Sequence, residues 1–420
     1  MIGPKAALEF LAFLLLLIFG LALRHPGLLA LAIPLGWHLV LGLSLAPANP
    51  EGSLAARRLI RPKRLYEGES VQVKVEIVNS GKNSLDLFLR DGPHPGLSVT
   101  SGEYQAAVLL RPGGSFSLSY EAKPKRGLYQ LQTVTVEVRD PLGLAPHGLK
   151  LPCPAEILVL PRYEDLSHPE VSARRTLPMP GTVRARRGGA GLEFYGIREY
   201  RPGDQVRRMA WKAFARHGEP AIVEFEEERA AEVAIILDVR ARAYWGYSPE
   251  LFEYSVRAAA ALSQYYLRQG HRVALLKYGA VLDWVFPGYG RKHGERILRE
   301  LARAKLGESE VFAELSHLPT RLLPVGSLLI FVSPLIPGDE ETLGKLVARG
   351  YRVLAILPEP TSAELGEIPE KEVAKEILSL ERWVLLRRLR RSGVMLVVWD
   401  VRNPLAPLLR RLRAGLGIWR

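Results

Sequence analysis

The chain of 420 residues is long enough for two or three domains with cores of their own, and a hydrophobic content of 48% is ordinary for a globular protein with a modest membrane segment. The single cysteine, Cys153, excludes an intramolecular disulfide and suits a reducing compartment. The formal net charge of +13 is local, because the excess bases fall in residues 51–64, 171–192 and 387–420. No nucleic-acid-binding module accompanies these bases, so the sequence argues against a nucleic-acid partner.

Two apolar runs open the chain, Ala6–Leu23 and Gly27–Ala46. Each is close to the roughly 20 residues that a helix needs to cross a bilayer. The four residues between them predict a tight turn, so we expect a two-helix transmembrane hairpin over residues 1–50. A cleaved signal peptide is the alternative, but an apolar region of about 40 residues is too long for one.

Five bases follow the second apolar run, namely Arg57, Arg58, Arg61, Lys63 and Arg64. By the positive-inside rule they place both ends of the hairpin, and everything after it, in the cytoplasm beside anionic lipid headgroups. We therefore expect a protein of the cell membrane, or of the inner membrane where there are two. Glu9 and His38, inside the apolar runs, have two interpretations: they form an intramembrane polar pair, or Glu9 lies near the headgroups and His38 makes a local hydrogen bond.

Residues 51–165 carry short alternating strands, as in Val71–Val78, Ser115–Ala122 and Gln132–Arg139. Turn sequences rich in Gly, Pro, Asn and Asp separate them. This pattern predicts a small antiparallel β-sandwich of immunoglobulin-like type. It contains no constellation of nucleophile, base or metal ligand, so we expect a binding or spacing role.

Residues 166–230 begin with a connector, Leu166–Arg187, that is rich in Pro, Arg and Gly. The glycine-rich residues 188–191 lack the Gly-Lys-Ser/Thr ending of a phosphate-binding loop and precede a strand, which argues against phosphate binding. That strand is predicted over Leu192–Tyr200 from its aromatic and β-branched residues.

A turn follows at residues 201–204, where Pro202 fixes φ and Gly203 permits a left-handed conformation. The Asp204 carboxylate is expected to accept backbone N–H bonds at the start of a helix over Val206–Phe214. Four apolar residues of that helix are expected to pack inward, namely Val206, Met209, Trp211 and Ala213.

The closely spaced residues of this signature segment, residues 187–220, are Gly191, Glu193, Phe194, Arg198, Tyr200, Pro202, Gly203, Asp204, Arg207, Trp211 and Arg216. In this order they resemble the signature of the family known as domain of unknown function 58. The resemblance implies a two-helix membrane anchor, a β-rich domain, the signature segment and a von Willebrand factor A-like domain. It also implies a MoxR-type AAA+ ATPase as partner.

Residues 231–420 alternate strand and helix, with strands predicted over Val233–Asp238, Val273–Tyr278, Leu328–Val332, Val353–Leu357 and Val394–Trp399. The intervening helices are predicted over Glu250–Arg268, Arg291–Ala304, Glu340–Ala348 and Glu370–Arg391. Repeated β-α-β units predict a parallel sheet with helices on both faces. Ligands of such sheets bind at the carboxyl ends of the strands.

In von Willebrand factor A-like domains an Asp-x-Ser-x-Ser loop holds a divalent cation at this edge. Here the first strand ends in Asp238, and arginines occupy both serine positions as Arg240 and Arg242. A guanidinium has no lone pair for a metal, so we expect no metal and no cofactor at these degenerate metal-loop positions. The arginines either replace the metal as the cationic half of a partner contact or pair with Glu226–Glu228.

The charges of the signature segment allow two interpretations. Glu193 and Asp204 lie among five arginines, which are Arg198, Arg201, Arg207, Arg208 and Arg216. The functional interpretation is a catalytic carboxylate pair or an anion site. The structural interpretation is a clasp of ion pairs that fixes the segment, which the lack of an accompanying nucleophile favours.

The sequence therefore predicts a membrane-anchored cytoplasmic adaptor or assembly factor that binds the ATPase and client proteins, with no catalytic residues. The alternative is a hydrolase with Glu193 and Asp204 as acid/base pair, which requires one carboxyl with a raised pKa. A third alternative is an electrostatic binder of membrane or nucleic acid, whose binding falls steeply with salt.

Overall fold

The computed structural model describes residues 4–44, 52–92, 94–139, 142, 144, 146–166, 176–279, 283–307, 323–359 and 371–409. For residues 4, 43, 176–193, 195, 225–231, 371–379 and 381 it describes the backbone alone. The chain forms two compact units, Met1–Leu160 and Pro161–Arg420. The predicted division at residues 50, 165 and 230 stays a prediction.

Two apolar helices begin the first unit, α1 (Pro4–Ala22) and α2 (Pro26–Ser44). Within the described residues, α1 is the one helix long and apolar enough to cross a membrane, and the apolar part of α2 is shorter. His38 Nδ1 lies 2.9 Å from Glu9 Oε2, so these residues form a polar pair between the helices. A Cβ on Gly36 would lie 2.9 Å from the Phe13 ring, which shows how closely the helices approach.

The described residues after the helices form nine strands of the first unit: β1 (Leu54–Arg61), β2 (Arg64–Tyr66), β3 (Val71–Asn79), β4 (Leu85–Arg90), β5 (Leu97–Gly102), β6 (Gln105–Leu110), β7 (Ser115–Pro124), β8 (Gly127–Arg139) and β9 (His147–Leu160). They make two sheets, ordered β1-β3-β7-β5 and β2-β9-β8-β4-β6. All pairings are antiparallel except that of β2 with β9. Inward-facing residues of both sheets share one apolar core, which the alternating pattern predicted.

Arg58 is an exception to the predicted lipid-facing cluster. Its position on β1 points into the core, where its side chain is fully buried. It donates to both Asp91 carboxylate oxygens, at 2.5 and 3.3 Å, and to the Cys153 carbonyl at 2.5 Å. Tyr120 Oη donates to the same carboxylate at 2.9 Å, and burial, followed by the nearby Asp91 charge, raises the pKa of Tyr120. Assignment of Arg58 to the lipid-facing bases was therefore wrong, whereas the other four bases are exposed.

The described part of the second unit contains seven strands: β10 (Thr176–Glu199), β11 (Ala221–Asp238), β12 (Arg272–Tyr278), β13 (Asp283–Gly288), β14 (Leu328–Val332), β15 (Arg352–Glu359) and β16 (Met395–Asp400). Its α-helices are α3 (Trp211–His217), α4 (Pro249–Arg268), α5 (Gly290–Arg303), α6 (Asp339–Ala348) and α7 (Lys371–Arg391). The sheet order is β13-β12-β11-β14-β15-β16, and β10 pairs with β11.

This sheet is mixed. β12, β11, β14, β15 and β16 are mutually parallel, as predicted, but β13 and β10 each pair antiparallel. Leu343 of α6 and Leu389 of α7 pack in one core with Ala234 and Ile236 of β11. Because strand residues alternate in direction, Ile235 lies on the opposite face, where α4 contacts the sheet and α5 packs on α4.

Two local predictions were wrong. The connector Leu166–Arg187 overlaps β10, which pairs with β11 from Thr176 onward, while residues 167–175 lie outside the described residues. The single helix predicted over Val206–Phe214 is instead a 3₁₀ turn, Val206–Arg208, followed by α3. Met209 forms a β-bridge with Ile222, and this pairing interrupts the helix.

Candidate functional site

The first candidate site lies where the central strands of the second unit end. β11 ends at Asp238, and β14 beside it is followed by Ser333, so parallel pairing brings the two side chains to one edge. Ser333 Oγ donates to Asp238 Oδ2 at 2.6 Å, and both residues are 1% exposed. A buried carboxylate at this position requires a positive partner, because an unpaired buried charge is costly.

That partner is Arg240. Its Nε and Nη2 donate to Asp238 at 3.0 and 2.7 Å, and its Nη1 and Nη2 donate to Asp339 at 3.1 and 2.7 Å. The arginine and Asp339 are each 3% exposed. Burial works against the charged form of Arg240, but its hydrogen bonds to Asp238 and then to Asp339 outweigh this effect and raise the pKa of the guanidinium. We call Asp238, Arg240, Ser333 and Asp339 the strand-end cluster.

The strand-end cluster has a buried arginine between two carboxylates. Arg240 pairs within the domain with Asp238 and Asp339, while contact with a partner acid and pairing with Glu226–Glu228 stay predictions. The side chains of Glu226–Glu228 lie outside the described residues. Arg242, the other degenerate position, is exposed. Among the described residues, no group of three or more His, Cys, Asp or Glu is arranged to hold a metal ion.

Asp339 was missed as a member of this cluster. It is one of three acidic residues in the first turn of α6, where such residues commonly cap a helix, and its carboxylate accepts the Ile336 N–H at 3.0 Å. The signal that could have found it is its position just after β14, because loops that follow neighbouring parallel strands lie at the same edge.

The second candidate site is the corner of the signature segment. Arg198, near the end of β10, donates from Nη1 and Nη2 to both Asp204 oxygens at 2.7 and 2.6 Å. Its Nε donates to Glu224 of β11 at 2.7 Å. The Arg201 N–H also donates to Asp204 at 2.8 Å, so this carboxylate caps its own turn instead of a helix start. Gly203, with φ of 104°, supplies the left-handed conformation that the turn needs.

Hydrogen bonds from the Arg198 side chain, then from the Arg201 backbone, lower the pKa of Asp204 to about 2. Hydrogen bonds to Asp204, and then to Glu224, raise the pKa of Arg198. Asp204 is therefore ionised near neutral pH and holds no proton to donate. We call Arg198, Asp204 and Glu224 the signature clasp; Glu224 was missed because nothing distinguishes it within a run of glutamates.

The signature segment also exposes large apolar side chains. Val206 is 58% exposed, Trp211 60% and Phe214 36%, and the Trp211 and Phe214 rings meet edge to face with centroids 6.4 Å apart. The prediction that Val206 and Trp211 pack inward was therefore wrong. We call Val206, Trp211 and Phe214 the signature surface, because exposed apolar groups beside charged ones are typical of contact sites.

The remaining predicted signature residues lie around these groups. Phe194 is 62% exposed, Tyr200 is half-buried and its N–H donates to the Pro220 carbonyl, and Arg207 and Arg216 are exposed. The Glu193 side chain lies outside the described residues. The structure therefore joins Asp204 and Glu224 to Arg198, and the predicted pairing of Asp204 with Glu193 stays a prediction.

The second unit is thus an α/β domain with a mixed sheet, a buried arginine at the strand ends and a clasped corner that exposes aromatic side chains. Residues 196–375 match the model of a family described as "Protein of unknown function DUF58". The match begins within the signature segment, as the sequence resemblance implied.

Two uncharacterised bacterial proteins are similar to this chain in sequence. The chain is 24% identical over 367 residues to "Uncharacterized protein YeaD" of Bacillus subtilis (strain 168), covering 86% of this chain and 88% of that protein. It is 34% identical over 116 residues to "Uncharacterized protein Rv1480" of Mycobacterium tuberculosis (strain ATCC 25618 / H37Rv), covering 27% of this chain and only 37% of that protein.

Among solved structures, a FixG-related protein from Vibrio parahaemolyticus matches 26% of this chain and 96% of its own, with 8% identity and a TM-score of 0.18. A likeness at this TM-score does not define a shared fold.

Proposed function

We propose that the protein is a membrane-anchored adaptor or assembly factor whose second unit binds protein partners through the signature surface. The observation that carries this proposal is the exposure of Trp211 at 60%, beside Val206 and Phe214, on a corner that the signature clasp holds in place. A rigid aromatic group on the surface is a common centre of protein–protein interfaces, because it buries a large area with little loss of conformational freedom.

The partner we propose is a MoxR-type AAA+ ATPase, which the family resemblance implies, with client proteins that the ATPase loads or remodels. Anchorage is assigned to an α1–α2 transmembrane hairpin, and α1 supports it by its length and apolar composition. The exposed bases Arg57, Arg61, Lys63 and Arg64 support a cytoplasmic orientation of both units. In this proposal the first unit is an immunoglobulin-like sandwich and the second a von Willebrand factor A-like domain.

The alternative hydrolase gains no support from Asp204. A general acid needs a pKa near the working pH, whereas Arg198 lowers the pKa of Asp204 to about 2. The same bonds suit a structural carboxylate that fixes the corner from which Trp211 projects.

The proposal is tested by capture from native membranes with the intact protein, with Trp211→Ala combined with Phe214→Ala, and with Trp245→Ala. Trp245 is the matched control, because it is 87% exposed and lies outside the signature segment. We expect an AAA+ ATPase, identified by mass spectrometry, with the intact protein and the control but strongly reduced with the double variant. Equal recovery by all three folded proteins, or no ATPase with any, would overturn the proposal.

A further inference from the structure

Helix α7 has an exposed face that its packing in the second unit does not use. The helix buries Leu385 and Leu389, which are 6% and 0% exposed, in the core beneath it. On the opposite side Leu380 is 62% exposed, Trp383 55% and Val384 38%. Since residues three and four apart share a helix face, these three form one apolar stripe.

The same face becomes basic toward the end of the helix. Arg387 continues the stripe, and its guanidinium lies 5.0 Å from the centroid of the Trp383 ring. Arg390 and Arg391 are exposed beside it, and Arg388, at the margin, pairs with Glu340 at 2.9 Å. The exposed face therefore has apolar side chains at one end and guanidinium groups at the other.

We propose that this face of α7 docks on the anionic lipid headgroups of the membrane that holds the protein, an inference that rests on the membrane anchorage in the proposed function. Leucine, valine and tryptophan fit the boundary between acyl chains and headgroups, and arginines bind lipid phosphates. A membrane tether keeps the second unit at high local concentration near this surface, so a modest affinity suffices. Lipid is therefore a better match for this face than a soluble acidic protein.

The test uses the full chain reconstituted into vesicles, with Leu380→Cys carrying an environment-sensitive fluorophore. The single native cysteine, Cys153, is buried and therefore poorly available to the label. One set of vesicles is phosphatidylcholine alone and the other also contains phosphatidylglycerol, each with and without spin-labelled lipid as quencher. Retention of the chain in the vesicles after a high-salt alkaline wash measures the anchorage, whereas the fluorophore measures the docking of α7.

We expect quenching by the spin-labelled lipid in the anionic vesicles and its release by salt. Combining Arg387→Gln with Arg391→Gln weakens docking about 25-fold, since each arginine near an anionic surface contributes about fivefold. The matched control, Arg291→Gln with Lys292→Gln, removes two exposed bases from α5, which packs on α4, and leaves quenching unchanged.

Three results would overturn the inference: no quenching in a chain that stays anchored, equal quenching in both kinds of vesicle, or equal loss in the two double variants. A fluorescence change that requires an added soluble protein would also overturn it, because α7 would then dock on protein. Loss of the chain from the vesicles in the wash would instead contradict the anchorage itself.

Discussion

The guanidinium of Arg240 donates two hydrogen bonds to the carboxylate of Asp339, at 2.7 and 3.1 Å, across 99 positions of the sequence. The same guanidinium binds Asp238 at the end of β11. The guanidinium of Arg240 thereby joins the loop after β11 to the start of α6.

Removal of this charge is expected to destabilise the second unit strongly. Arg240→Ala leaves Asp238 and Asp339 buried without their cation, and breaking a buried pair in this way costs about 3–5 kcal/mol. Arg242→Ala, two positions along and exposed, should change the free energy of unfolding by at most about 0.5 kcal/mol. Denaturant unfolding followed by tryptophan fluorescence compares the two variants, and similar losses in both would contradict the assignment.

A serine in place of Arg240 is expected to create a divalent-cation site. Asp238, Asp339 and the Ser333 hydroxyl would then offer hard oxygen ligands around the vacated position. Mg²⁺ should raise the Tm of the Arg240→Ser variant, since ligand at about 100 times Kd stabilises by about 2.7 kcal/mol. The intact protein should show no such rise, and adding Asp339→Asn to the variant should abolish it. A Tm of the Arg240→Ser variant that is independent of Mg²⁺ would count against the predicted ligand geometry.

Arg58 is expected to stabilise the first unit from within. Arg58→Met leaves the buried Asp91 carboxylate without its cation, and we expect a loss of about 3–5 kcal/mol. Arg57→Met, on the exposed side of the same strand, should cost about 0.5 kcal/mol or less. Thermal unfolding followed by circular dichroism distinguishes them. Equal effects would mean that Arg58 acts with its neighbours at the surface.

Acid is expected to loosen the signature corner. Because Arg198 holds the pKa of Asp204 at about 2, below its ordinary value, this carboxylate contributes stability above about pH 4. That contribution is lost as the pH falls from about 4 to about 2. Hydrogen exchange at residues 201–204, corrected for intrinsic rates, should show falling protection over this range. Asp204→Asn should show no such step, and a step that persisted in this variant would assign the titration to another group.

The sequence predicted best those features that depend on local pattern. The strand β14 and residues Val353–Leu357 of β15 are continuous buried apolar runs. Four of the predicted helices, including that of α4, agree with the structure to within one residue at each end. Contacts distant in sequence were not predictable in this way. Asp339 resembles any acidic residue at a helix start, and only its position after β14 indicates the sheet edge where Arg240 lies.

The sequence contained a pattern that indicates the buried position of Arg58, but a second pattern led to the wrong prediction. It lies on the same inward side of β1 as Leu54 and Ile60, so strand periodicity places it in the core. Its position in a basic cluster after an apolar run suggested lipid instead. At the signature, pairing of Met209 with Ile222 overrode the helical pattern of residues 206–214.

The most direct test of the account places a photoreactive benzophenone amino acid at Trp211, and separately at Trp245, in the full chain within native membranes. We expect a crosslinked product containing an AAA+ ATPase from position 211 and none from position 245. A folded, membrane-bound protein that gives no ATPase product at 211, or equal products at both positions, would contradict the assignment of the signature surface as the partner contact.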